Sequence, residues 1–184
     1  VLSAEDIETL RQAGVTSVVA ARLEADDVPE DEAAARLAQA LAGQGLTVGA
    51  AFTGRVNLFA ATAGIVELAP ERIDALNLVH EAITVATLPA HATVTEKQMV
   101  ATIKIIPFAV PGPVLAVTEA IGRRNGSPFA IHPFRPLKVG LVLTEIPGIK
   151  DKERVVEGTV EATATRVEAL CGTLLPVERA RHEE

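Results

Sequence analysis

Between Leu137 and Val177 the chain passes through an apolar strand pattern, a loop, a long helical stretch and a second apolar run. Leu137-Lys-Val-Gly-Leu-Val-Leu-Thr144 has the β-branched, apolar character of a strand covered on both faces. Glu145 to Lys152 holds Pro147 and Gly148 and reads as a loop. Glu153 to Leu170 is helical in character, Gly172 stands where a helix C-cap would, and Thr173-Leu-Leu-Pro-Val177 opens the second strand. A parallel strand pair needs a crossover of this kind. One such unit cannot cover both faces of a sheet, so the pattern predicts the truncated start of an α/β domain over 138–184. It also predicts an apolar edge or face left for another copy of the chain, or for further residues, to cover. At the other end, Val1-Leu2 lacks an initiator Met and runs straight into the helix signal Ser3-Ala-Glu-Asp6. The expectation is a piece of a longer protein.

Ser3 with Asp6 three residues on forms a capping-box pattern, Ile7 and Leu10 share a helical face, and Gly14 closes the turn. Val15 to Leu23 reads as a strand. Asp26, Asp27 and Pro29 open a second helix to about Leu41, with Ala33, Leu37, Ala40 and Leu41 on its apolar side and Gly43 behind it. Residues 1–45 thus form an α-β-α segment. Residues 46–123 are β-rich, as a barrel or sandwich would be, with strands at Ile83–Leu88 and Met99–Ile106 and helices at Pro70–Val79 and from Pro111 to Arg123. Phe52–Ala63 fits helix or strand. Arg124–Pro128 reads as a turn and Ile131–Pro136 as an extended linker, and prolines 128, 133 and 136 mark 124–137 as the linker between domains. The fold class is mixed α/β and α+β.

Composition narrows the function. With five Phe, no Trp and no Tyr, the core must be built from Ala, Val, Leu and Ile, and stacking platforms for single-stranded nucleic acid are scarce. A net charge of −7 argues against nucleic-acid backbones as partners. No apolar run approaches the ~20 residues of a membrane span. The single cysteine, Cys171, reads as a small core residue and excludes an internal disulfide, in keeping with a cytoplasmic setting. Histidines 80, 91, 132 and 182 have no metal-ligand spacing.

Three places could carry chemistry. The first is the loop Thr144, Glu145, Gly148, Lys150, Asp151 and Lys152, beyond the end of a parallel strand and before a helix N-terminus, where ligands gather in open α/β sheets. Its hydroxyl, carboxylates and lysines could hold a phosphate and a divalent ion; equally, an exposed loop is polar without any ligand. The second is Thr53-Gly-Arg-Val-Asn57, where Gly54 permits close backbone approach and Arg55 and Asn57 supply planar donors. The third is Lys104 inside Ala101-Thr-Ile-Lys-Ile-Ile-Pro107, which faces either solvent or an anion.

At Thr53-Gly-Arg-Val-Asn-Leu-Phe59, Gln98-Met-Val-Ala-Thr-Ile-Lys-Ile-Ile-Pro-Phe-Ala-Val-Pro111 and Lys138-Val-Gly-Leu-Val-Leu-Thr144 the chain resembles molybdopterin-binding proteins of molybdenum-cofactor biosynthesis. It is similar in particular to the bacterial subgroup often fused to a nucleotidyltransferase-like domain. The Gln98–Pro111 string is the most specific match. The resemblance implies a molybdopterin-binding α/β domain from Lys138, molybdopterin or a related anionic pterin as ligand, and Mg²⁺ beside it. It also implies a transferase-type role that depends on residues past Glu184. The family strand ends in a Ser/Thr-Gly-Asp-Glu-Leu signature; Leu143-Thr-Glu-Ile146 keeps a Thr and an acid but lacks the Gly-Asp pair. Thr144, Glu145 and Asp151 carry over as candidates on that basis. The contrasting reading is a non-catalytic scaffold whose β region binds a partner domain.

Overall fold

The computed structural model describes residues 2–145 and 152–181. Helix α1 (Ala4–Gln12) is set by the capping box: the Asp6 N–H donates to Ser3 Oγ at 3.1 Å and the Ser3 N–H to Asp6 Oδ2 at 2.7 Å. Gly14 follows with φ +76. The strand expected at Val15–Leu23 is absent. These residues are irregular and exposed, with Val18 and Val19 facing water. A β-branched run becomes a strand only where a partner edge accepts its backbone, and none pairs with it.

Strand β1 (Asp27–Pro29) occupies what the sequence suggested was the first turn of a helix, because it pairs antiparallel with β8 (Ala109–Pro111). Helix α2 (Glu30–Leu41) starts directly after, and Ala33, Leu37, Ala40 and Leu41 are buried as their spacing requires. The region expected to be β-rich contains β2 (Leu46–Val48), β3 (Arg55–Ala60), β4 (Gly64–Leu68), β5 (Ile83–Thr87), β6 (Thr93–Val94) and β7 (Met99–Ile105), with α3 (Pro70–Asn77) and α4 (Gly112–Arg123). Four of these strands form an antiparallel sheet in the order β2-β3-β7-β5, β4 and β6 belong to a second sheet, and no barrel closes among the described residues. Alternation on β3 and β7 sends Val56, Leu58, Ile103 and Ile105 into one core shared with α2, α3 and α4. The edge strand β5 is blunted by Asn77, whose side-chain amide exchanges two hydrogen bonds with the Val85 backbone, at 2.8 and 3.0 Å.

The stretch 131–136, expected as an extended linker, is a strand in its first half. Phe129–Pro133 forms β9, which pairs along β4 in a three-stranded sheet β6-β4-β9 and buries Phe129 and Ile131. Only 134–137 runs without regular structure before the C-terminal unit. That unit has β10 (Lys138–Val139) and β11 (Val142–Glu145), helix α5 (Lys152–Ala169), then β12 (Thr173–Leu174) and β13 (Glu178–Arg181). β10 pairs with β12 and β11 with β13, both parallel. The expected strand–helix–strand unit is therefore present. Val156, Val160 and Val167 on α5, with Val139, Leu141 and Leu143 on the strands, are only half-buried, and Leu137, Val142, Val155 and Leu175 are exposed. No described helix is long and apolar enough to cross a membrane.

The end of α5 corrects two expectations. Cys171 is exposed rather than in a core, and it carries the left-handed turn itself at φ +58. Its N–H donates to the Glu168 carbonyl at 2.9 Å while the Gly172 N–H reaches Val167 at 2.8 Å, so Gly172 is one place past the left-handed position. A non-glycine residue there is strained. Cys171→Gly should stabilise this helix end by about 0.5–1 kcal/mol after the entropy that glycine adds to the unfolded chain. Slower hydrogen exchange of the Gly172 amide would show it; faster exchange would refute it.

Candidate functional site

Two places emerge, and the structure does not bring them together. The first is the end of the parallel pair. Thr144 and Glu145 close β11 opposite Ala180 and Arg181, and α5 begins at Lys152. Lys150 and Asp151 lie outside the described residues. Thr144 is exposed. One participant, Arg179, is not among the residues that the sequence singles out. Arg179 on β13 stands opposite Leu143 and forks onto Glu153 in the first turn of α5, with both N–O distances 3.2 Å. Strand end, helix start and a guanidinium thus converge. Both side chains of that fork are well exposed, so its contribution to stability is small.

The second place joins residues that were read as two separate features. Phe52 and Arg55 bridge across the two-residue turn Thr53-Gly54, each N–H donating to the other's carbonyl at 3.0 and 3.1 Å. Both turn residues have positive φ, +48 at Thr53 and +68 at Gly54. For a β-branched threonine this is a strained conformation, and it persists where the surroundings over-determine it. Here they do. The Gly54 N–H donates to Asp31 Oδ1 at 2.6 Å, the Gly54 carbonyl accepts from the Ile105 N–H at 2.7 Å, and the Thr53 carbonyl accepts from Lys104 Nζ at 2.5 Å. A Cβ on residue 54 would lie 2.7 Å from both Glu30 Oε2 and the Ile105 carbonyl oxygen, so the turn admits only glycine.

Cross-strand register then builds rows on the outer face of the four-stranded sheet, the face turned away from α2. Directly opposed residues share a face. Arg55 stands opposite Lys104, and Lys104 opposite Thr84, so Phe52, Arg55, Lys104 and Thr84 form one transverse row. In the next row Asn57 stands opposite Thr102, and Thr102 opposite Ala86. The Thr102 hydroxyl donates to Asn57 Oδ1 at 2.5 Å. A register shift in β7, where Val100 is the extra residue, turns Met99 onto the same face beside Thr102. A shallow cleft of about 200 Å³ opens there, lined by Ala86, Leu88, Met99 and Thr102.

Among the described residues no cluster of three His, Cys, Asp or Glu side chains could hold a metal. His132 pairs instead with Glu67 across β4 and β9. Comparison with protein-family models, curated proteins and solved structures finds no match to this chain.

Proposed function

We propose that the chain contributes to molybdopterin binding in molybdenum-cofactor biosynthesis. It would hold the anionic pterin while metal insertion or nucleotide attachment takes place, in cooperation with residues or a domain beyond this segment. One observation carries the reading. The chain folds from Lys138 into a parallel strand–loop–helix–strand unit, with Thr144, Arg179 and the first turn of α5 at one end. Helix N-termini present N–H groups without intrahelical acceptors, and phosphates settle on them. Thr144 adds a hydroxyl, and Lys150 and Lys152 bracket the same helix start in sequence. A phosphate there would compete with Glu153 for Arg179.

The test is calorimetric titration of the protein with molybdopterin, wild type against a Lys150→Ala, Lys152→Ala double variant. Loss of two charge-assisted hydrogen bonds should weaken binding by about 1–3 kcal/mol. Unchanged affinity would reduce the loop to a solvated connection and remove this assignment.

A further inference from the structure

We propose that the end of the four-stranded sheet where β7 runs into Ile106 is an interface between two copies of this chain. Ile106, Pro107 and Phe108 are three consecutive exposed apolar residues. The Ile106 N–H still pairs with the Ala82 carbonyl at 2.9 Å, so Ile106, two residues past Lys104, keeps the face of Lys104, Arg55 and Phe52. Area is the first argument. Phe52 is 75% exposed, Phe108 65% and Ile106 58%. At ~150–250 Å² for a large side chain, they present roughly 350–400 Å² of apolar surface. A standard interface takes about 800 Å² from each partner, a little over half of it apolar. The strip therefore supplies most of the apolar area that one side of a stable dimer needs.

The second argument is shape. His80, Glu81, Ala82, Ile106 and Pro107 line a cleft of about 330 Å³. His80 is held there by its Nδ1, which accepts the Ala82 N–H at 3.1 Å. A cavity of about 150 Å³ already takes a benzene ring, so a phenyl side chain fits. β3 flanks β7 on one side and β5 on the other. Phe52 and Arg55 thus lie on one side of Ile106, and the cleft and Glu81 on the other. With strands ~4.8 Å apart and ~3.4 Å per residue, Arg55 and Glu81 stand about 14 Å apart, with Ile106 near the midpoint. A two-fold axis against Ile106 exchanges the two sides. Phe52 of each copy then enters the cleft of the other, and Arg55 of each meets Glu81 of the other. The third argument is charge. The side chains of Arg55 and Glu81 have no ion-pair or hydrogen-bond partner among the described residues. Lys104, with the Glu30 and Asp31 carboxylates at the Gly54 turn, completes a border of both signs. A partner of one sign would gain on one side and lose on the other, whereas a second copy supplies both. The turn that positions Phe52 is pinned by three hydrogen bonds, so little ordering opposes association.

Sedimentation equilibrium of the chain from micromolar to submillimolar concentration tests this. The expected result is a monomer–dimer equilibrium that goes no further. Phe52→Ala should weaken it by about tenfold, as loss of a central aromatic anchor does, and Phe52→Asp should abolish it. Both should leave the thermal midpoint of the dilute protein unchanged, since Phe52 is exposed. Arg55→Glu should weaken the dimer, and Arg55→Glu combined with Glu81→Arg should restore it, because each copy then carries the exchanged pair. Val155→Asp, at an exposed position of α5, should leave it intact, which separates this interface from the apolar surface of the C-terminal unit. A monomer throughout the range would overturn the proposal, whatever else covers the strip. A dimer that survives Phe52→Asp would overturn it too, by placing the contact elsewhere. Assembly past two copies would mean a head-to-tail contact and defeat the two-fold arrangement. Failure of the charge exchange to restore the dimer would defeat the pairing of Arg55 with Glu81.

Discussion

Replacing Gly43 with alanine should destabilise the fold by about 3 kcal/mol or more, although the change adds a single methyl group. Gly43 follows the C-terminus of α2, and a Cβ there would sit 2.0 Å from the Phe129 carbonyl oxygen, 2.7 Å from Ser127 Oγ and 2.9 Å from Ser127 Cβ. None of these can yield cheaply. Phe129 is buried at the head of β9, and Ser127 Oγ is held at 2.5 Å from the Leu41 carbonyl oxygen and accepts the Phe129 N–H at 3.0 Å. The alanine must therefore push β9 away from α2 and uncover a carbonyl that the helix cannot satisfy itself. Gly126→Ala is the control. It has φ +91 but nothing within 4 Å, so it pays only for conformation, about 1–2 kcal/mol. Denaturant midpoints of the two variants should separate clearly. If Gly43→Ala fell within 1 kcal/mol of wild type, β9 would have to be free to shift.

That contact also explains why the sequence misled at 124–137. Pro128 and Pro133 look like interruptions, but Pro128 precedes β9 and Pro133 ends it, and β9 is an edge strand of its sheet, where a missing N–H costs no ladder bond. Local signals were read correctly wherever they were sufficient on their own. Ser3 and Asp6 make their capping box, the alternation of β7 buries Ile103 and Ile105, and the 138–181 pattern becomes a parallel pair. Val15–Leu23 shows the limit of such signals, because strand character does not supply a partner edge. The rows on the outer face of the four-stranded sheet are legible in the sequence only as fragments. Arg55, Asn57 and Lys104 were singled out by residue type, but their meeting depends on the register between β3 and β7, positions 45 or more residues apart. Phe52 joins the same row through its bridge to Arg55 across the Thr53-Gly54 turn. Arg179 is not legible because β13 is exposed throughout and carries no apolar alternation.

The second large effect is expected at Glu119, the buried carboxylate between α2 and α4. Its side chain is nearly inaccessible, and Arg36 forks onto it at 3.2 and 2.9 Å while Arg123 approaches to 3.5 Å. Arg36 also leans toward Glu32 at 3.7 Å. The hydrogen bonds from Arg36 hold the Glu119 carboxyl below the usual carboxylate range, against the opposing effect of burial, and Arg123 assists. Glu119→Ala strips two arginines of their shared partner. A fully buried broken pair costs about 3–5 kcal/mol. Arg36 and Arg123 both reach water, so about 2–3 kcal/mol is expected here. Because the folded value is depressed, the charge-linked share of this stability is fully present above the unfolded-chain glutamate value, about 4.3. It is lost as pH falls through the folded value. Glu119→Gln keeps the shape and removes the charge, so its deficit relative to wild type should be largest near neutrality and shrink as the medium is acidified. Urea unfolding of both proteins across that range would reveal the convergence. A gap that stayed constant with pH would mean that packing, rather than the ion pair, joins α2 to α4.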